Sequence, residues 1–324
     1  MKRKRLLLSI FIYCLILSII CIVGTVKNKT QFSGKTLQSA FLNEKYKPGI
    51  NYIQITFPDN PDMLLSELKL KKTNEATESW TCTTGIDSFA ADEKAISQLI
   101  DVFASTRNLI LLSDKVSDWK QFDLSESEAI CISFFESSGN SDTLRSKLYF
   151  GKNTTDYTGV YVRNDKNPYV YRVEDNVTAY LTDDINFWCD LSLLRENQND
   201  DENSLMSISA KLFDESGKTT TINLHNDGTD SFIDYAHKLL SLRGSRVISK
   251  VEEHITNMEK LLELSITGYN STDCSIQVFS TGKATEAETK FFVQYSAKSE
   301  KGIQPYFVEI SAWTYRNLLP SAFM

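Results

Sequence analysis

The side chains best suited to chemistry in this 324-residue chain are three histidines, six cysteines and a surplus of carboxylates. His225 sits in the run Leu224-His225-Asn226-Asp227-Gly228, His237 falls on an amphipathic stretch, and His254 follows two glutamates in Val251-Glu252-Glu253-His254-Ile255. None has a second histidine at i+3 or i+4, as a helical zinc pair needs, and none stands in a recognisable relation to a nucleophilic serine or cysteine. His254 beside its glutamates reads as a solvated helix face. Cys82, Cys131, Cys189 and Cys274 lack metal-ligand spacing and have apolar or β-rich neighbours, as in Ile130-Cys131-Ile132, so they read as buried thiols or one disulfide. Gly151-Lys152 resembles the end of a phosphate loop but lacks its other glycine and its strand–loop–helix setting. It reads as a turn leaving the strand Leu148–Phe150. These residues imply no catalytic site, no metal site and no cofactor. What remains is recognition: Tyr157, Tyr161, Tyr169, Tyr171, Tyr306 and Trp313 are the expected partner contacts, against the competing reading that most of them pack inside sheets.

The elements that must position these side chains begin with an address. Lys2-Arg3-Lys4-Arg5 precedes an apolar run from Leu6 to Val23 that holds no charge. At 1.5 Å rise per residue, the run makes a helix of roughly 27 Å, enough to cross a hydrocarbon core. The positive flank places the N-terminus in the cytoplasm and the bulk of the chain outside it. A retained anchor, a cleaved signal peptide and a lipoprotein signal compete for this segment. The exit Ile20-Cys21-Ile22-Val23-Gly24-Thr25 has no small-x-small cleavage site, and Ile19 and Ile20 precede Cys21 where small residues are wanted. The expectation is a single-pass anchor contacting membrane lipid through residues 6–23.

The exterior is folded and acidic. Hydrophobic residues make up 41% and aromatics 11% of the chain, which excludes a disordered stalk. Removing the four cations of the first 24 residues leaves 31 Lys+Arg against 42 Asp+Glu, a balance of about −11 that disfavours nucleic acid as a ligand.

Two stretches of the exterior follow the same order of signals. The first has an alternating run from Ile50 to Phe57, a strand near Trp80-Thr81-Cys82, and a helix with Ile96, Leu99, Ile100 and Phe103 on one face and Asp92 as its cap. The second has strands at Ser207–Phe213 and Thr219–Leu224. Its helix opens at Thr229-Asp230, buries Phe232, Ala236, Leu239 and Leu240, and stops at Gly244. After each helix, strand signals at 130–135, 147–150 and 167–173 are echoed at 274–279, 290–293 and 304–310. Pro168 and Pro305 are expected at the first residue of a strand, since proline cannot donate to a ladder. The expected division is a basic tip and anchor at 1–24, a juxtamembrane segment at 25–47, a first α+β repeat unit at 48–194, an acidic linker at 195–204 and a second unit at 205–324. The expected fold is therefore α+β, with mainly antiparallel sheets and one main amphipathic helix per unit.

The stretch after the first helix resembles a bacterial family, the domain of unknown function 4340. The resemblance rests on Leu148-Tyr149-Phe150-Gly151-Lys152, Gly159-Val160-Tyr161-Val162-Arg163, Tyr169-Val170-Tyr171-Arg172-Val173 and the segment Asn186–Leu194. It covers roughly residues 75–195. Cys189 stands where the family pattern has arginine. The resemblance implies a single-span protein with an α+β exterior, linked with membrane ABC-type transport systems as an auxiliary component. It implies no catalytic residues.

Taken together, these features predict a non-enzymatic, membrane-anchored, extracytoplasmic interaction or scaffold protein whose partners are ABC-type transporter subunits or other envelope proteins. The competing expectations are an envelope hydrolase and a small-ligand receptor of a transporter.

Overall fold

The computed structural model describes residues 35–72, 79–85, 87–138, 141–174, 176–194, 205–214, 218–248, 258–268, 274–283, 288–297 and 306–321. The apolar run at 6–23, the acidic run at 195–203, His254 and Pro305 lie outside them. Among the described residues, no helix is long and apolar enough to cross a membrane.

The described chain is mixed α+β, with two antiparallel sheets. The first is built from β1 (Thr36–Ser39), β2 (Tyr52–Thr56), β3 (Glu67–Lys72), β4 (Trp80–Thr84), β5 (Asp87–Ala90), β6 (Arg107–Ser113), β7 (Ile130–Ser138), β8 (Ser141–Asn153), β9 (Val160–Asn164) and β10 (Val170–Val173). Between β5 and β6 runs α1 (Glu93–Ala104), and after β10 comes the short α2 (Ile185–Trp188). The second sheet takes β11 (Ser207–Phe213), β12 (Thr219–His225), β13 (Arg246–Ile248), β14 (Glu259–Thr267), β15 (Cys274–Ser280), β16 (Phe291–Ala297) and β17 (Phe307–Ile310). It carries α3 (Asp230–Ser241) and α4 (Ala312–Leu318).

Local sequence explains the elements. The Asp92 carboxylate accepts from the N–H groups of Lys94 and Ala95 at 3.0 and 3.1 Å, which satisfies two orphan donors and starts α1. Its buried stripe is Ile96, Leu99, Ile100, Phe103 and Ala104. In β2 the inward residues Ile53 and Ile55 alternate with Tyr52 and Gln54, as a sheet with one face on a core requires. The inward residues of both sheets join one continuous core.

Sheet order reveals a correspondence. The second sheet runs β12-β11-β14-β15-β16-β17-β13. The same order of relative positions appears in the first as β3-β2-β7-β8-β9-β10-β6, with β4 and β5 added beyond β3 and β1 added beyond β6. By position β10 corresponds to β17, the pairing expected of 167–173 and 304–310. The first two echoes are each displaced by one strand: β7 corresponds to β14 and β8 to β15. The displacement arises because β14 opens on Glu259-Lys260, which masks the alternation of Leu262, Leu264 and Ile266 behind it.

Three expectations are corrected. Helix α3 ends at Ser241, and Gly244 instead lies where the two sheets meet: its N–H donates to the Leu191 carbonyl at 2.8 Å, and an added Cβ would lie 2.0 Å from a Val308 methyl. Close approach, not helix termination, requires the glycine. Strand β8 does not turn at Gly151 but continues to Asn153 through an irregular register beyond Phe150. Pro168 precedes β10 by two residues, and its carbonyl accepts from the Trp119 indole at 3.0 Å.

The meeting of the sheets is a hydrogen-bonded seam. The Leu193 N–H donates to the Leu242 carbonyl at 3.1 Å, and the Val247 N–H donates to the Asn186 side chain at 2.9 Å. The Ala90 N–H reaches the Tyr306 hydroxyl at 3.3 Å, while the Tyr306 ring meets Phe89 edge-on at 5.0 Å. The seam covers the β5 and β13 edges.

Candidate interaction site

The strand motifs singled out in the sequence converge on the outer face of the first sheet, the one turned away from α1. Alternation sends Leu148, Phe150, Val160 and Val162 into the main core, and turns Tyr149, Tyr161 and Arg163 outward. A 3-10 segment at Val116–Phe122 folds over these outward residues and builds a second, small core with Leu124, Ala129 and Val170. Gly151 permits the covering segment to approach, because a Cβ there would sit 2.0 Å from the Phe122 carbonyl oxygen. Asp123, in the left-handed region at φ 55°, ends that segment and faces Lys152 at 3.7 Å.

Arg163 is the centre of this face. Only 2% of it is exposed. Its guanidinium lies between the Trp119 and Tyr149 rings, 3.8 and 3.5 Å from their centroids, and its Nε donates to the Leu124 carbonyl at 2.8 Å. Burial pushes its pKa down, yet a guanidinium stays charged, so the aromatic faces and carbonyls carry the cost of enclosing it. Its Nη2 has no hydrogen-bond partner among the described residues. Beside it, burial raises the half-buried Cys131 thiol, which keeps the sulfur protonated and a poor nucleophile. Cys82, Cys189 and Cys274 are buried, and the four cysteines stand as separate thiols rather than as disulfides. Cys189 is buried and bridges backbone to Ala91.

The loop between β8 and β9 presents an aromatic in a fixed pose. Tyr157 is 85% exposed and holds φ at +56°, a strained setting for a residue with a Cβ. The loop is locked below it. The Thr154 hydroxyl donates to Asp156 at 2.5 Å, the Thr158 N–H donates to the same carboxylate at 3.3 Å, and Arg172 reaches it at 2.9 Å. These donors, the Thr154 hydroxyl first, lower the Asp156 pKa to about 2.

The six expected contact residues divide evenly. Tyr157, Trp313 at 67% and Tyr169 at 39% are exposed. Tyr161 packs on Phe122 at 4.7 Å, Tyr171 is buried in the main core, and Tyr306 is buried at the seam. The exposed three do not form one patch by topology: Tyr157 and Tyr169 flank opposite ends of β9, and Trp313 is on α4. The histidines are equally scattered. His225 closes β12 and His237 sits on α3.

A groove of about 420 Å³ lies at the other end of β8 and β9, roofed by β1 and the loop after it. Leu37, Leu109, Leu148, Val162 and Tyr171 line it together with Asn43, Arg145 and Lys166. Arg145 is held there by its Nε bond to Glu136 at 2.9 Å and by the Tyr46 ring at 4.7 Å. The Arg163 sandwich is not legible in the sequence because Trp119 is remote in the chain, and the Asp156 lock because a short polar loop carries no periodic signal; Tyr149, Arg163 and Arg172 are marked only by the strand motifs they stand in.

The sequence profile of a domain of unknown function, DUF4340, matches residues 80–276, from β4 to the first residues of β15. No curated protein and no solved structure matches the chain.

Proposed function

We propose, from the premise that this chain belongs to the domain of unknown function 4340 family, that it is a single-pass membrane protein whose extracytoplasmic part is a non-enzymatic interaction module. The observation that carries the reading is the locked presentation of Tyr157. An exposed aromatic held in one strained conformation binds without the entropy cost of ordering a loop, which is how interface anchors gain affinity. The apolar run at 6–23 supplies the anchor, with the N-terminus in the cytoplasm, and fixes orientation and local concentration. The partner class proposed is an envelope membrane protein, an ABC-type transporter subunit foremost.

The test is purification of the full chain from its own membranes in mild detergent. A stoichiometric membrane protein is expected to accompany it, and Tyr157→Ala is expected to weaken that association at least tenfold, about 1.4 kcal/mol, with the melting temperature unchanged. Purification of the chain alone, or co-purification indifferent to Tyr157→Ala, would sink the reading. The groove supports a second reading, a small-ligand receptor, since its size and mixed apolar and polar lining suit a small molecule. Native mass spectrometry of the same preparation would then show a retained ligand.

A further inference from the structure

The two sheets end differently at equivalent places. In the first sheet β3 is covered by β4, which pairs with it antiparallel and sets Cys82 opposite Leu70 and Thr81 opposite Lys71. Its positional twin in the second sheet, β12, has β11 on one side and, among the described residues, no strand on the other. The seven residues Thr219-Thr220-Thr221-Ile222-Asn223-Leu224-His225 pair with β11 in unbroken register, without a bulge. Exposed edges in soluble proteins are ordinarily blunted by lysine, proline, a bulge or brevity. Strand β12 has none of these, whereas the outer edge of the first sheet, β1, is only four residues long. Among the described residues this edge is open, and it is a regular template for one more antiparallel strand.

We infer that this edge is a self-association surface: β12 of a second copy pairs with it antiparallel about a two-fold axis at Ile222. The composition of β12 fits the slot it faces. Like β4, which pairs with β3 at the corresponding position of the first sheet, it is threonine-rich with an apolar residue at its centre and a second toward one end, Leu224 in β12 and Trp80 in β4. In the symmetric register Ile222 meets its own copy, Thr220 meets Leu224 and Thr221 meets Asn223. Directly opposite residues share a face, so Ile222 and Leu224 stay on the side of the buried Ala210 and Ile208. No like charges oppose each other within the strand. At each end the exposed Lys218 of one copy falls beside Asn226 and the exposed Asp227 of the other, a complementary pair made twice by symmetry. The exterior is strongly acidic, so two copies repel over most of their surface, and this neutral edge with its flanking opposite charges is where they can meet.

The test uses the full chain in mild detergent, read by native mass spectrometry and analytical ultracentrifugation. The wild type, once separated from any accompanying membrane protein, is expected at the mass of two chains. The exposed pair Thr221→Lys with Asn223→Lys places lysine opposite lysine twice across the axis and should weaken pairing at least about tenfold. Thr221→Lys with Asn223→Glu places opposite charges in the same register and should keep the pair. A wild type that stays single, or that carries a different protein on this edge, overturns the inference. So does a two-lysine variant that remains paired, or a charge-swapped variant that separates while its melting curve matches the wild type.

Discussion

A Cβ added at Gly151 would lie 2.0 Å from the Phe122 carbonyl oxygen, and that oxygen belongs to the segment covering the Arg163 sandwich. Neither side can yield cheaply, since one is strand backbone and the other closes a 3-10 turn. Gly151→Ala is expected to destabilise the protein by about 2 kcal/mol or more, the upper range for overpacking a tight site. Gly85 makes the contrast: it holds φ at +54° with nothing within 4 Å of an added Cβ. Gly85→Ala meets only backbone strain and should cost about 1 kcal/mol. Denaturant midpoints of the two variants settle the order, and a Gly151→Ala loss no larger than that of Gly85→Ala contradicts the close-approach account. Gly151 acts together with Tyr149, Tyr161 and Arg163: the three side chains build one small core and the glycine admits its cover.

The β8–β9 loop is the element on which function is proposed to rest, and its lock is titratable. The Asp156 carboxyl is held below its ordinary value of 3.8, at about 2. A depressed folded-state pKa contributes stability that is complete above the ordinary value and is lost as pH falls through the folded one. The loop is therefore expected to stay fixed at pH 4 and to loosen as pH approaches 2, and Asp156→Asn should remove that acid step. Amide chemical shifts of Thr158 and Gly159 followed against pH report it, and a wild-type midpoint near 3.8 would refute the lock.

Other elements differed in how readily the sequence disclosed them. Helix α1 was plain, because Ile96, Leu99, Ile100 and Phe103 share one face and Asp92 caps them. Strand β3 gives a weak signal although Leu68 and Leu70 alternate with Lys69 and Lys71, since short charged strands resemble loops. The insertion of β2 between β7 and β3 was beyond local patterns altogether, as pairing over such separations is set by the closed core. Tyr306 illustrates the same limit: its type suits an exposed contact or a buried seam equally, and only its partners Ala90 and Phe89 decide.

At the scale of the whole molecule, the seam joins two sheets of corresponding order into one described body. Backbone bonds from Leu193 to Leu242 and from Gly244 to Leu191, with the buried Tyr306, tie them where the β5 and β13 edges would otherwise lie open. The two sheets therefore hold a fixed relation between their surfaces, and in the proposed arrangement the anchor sets which of them face along the membrane. The most direct measurement is photo-crosslinking in intact cells with a photoreactive residue at position 157 of the full chain, and a control at the exposed Leu64. The account predicts an adduct to an integral envelope protein from position 157 that is absent from position 64. No adduct at 157, or the same products from both positions, would contradict it.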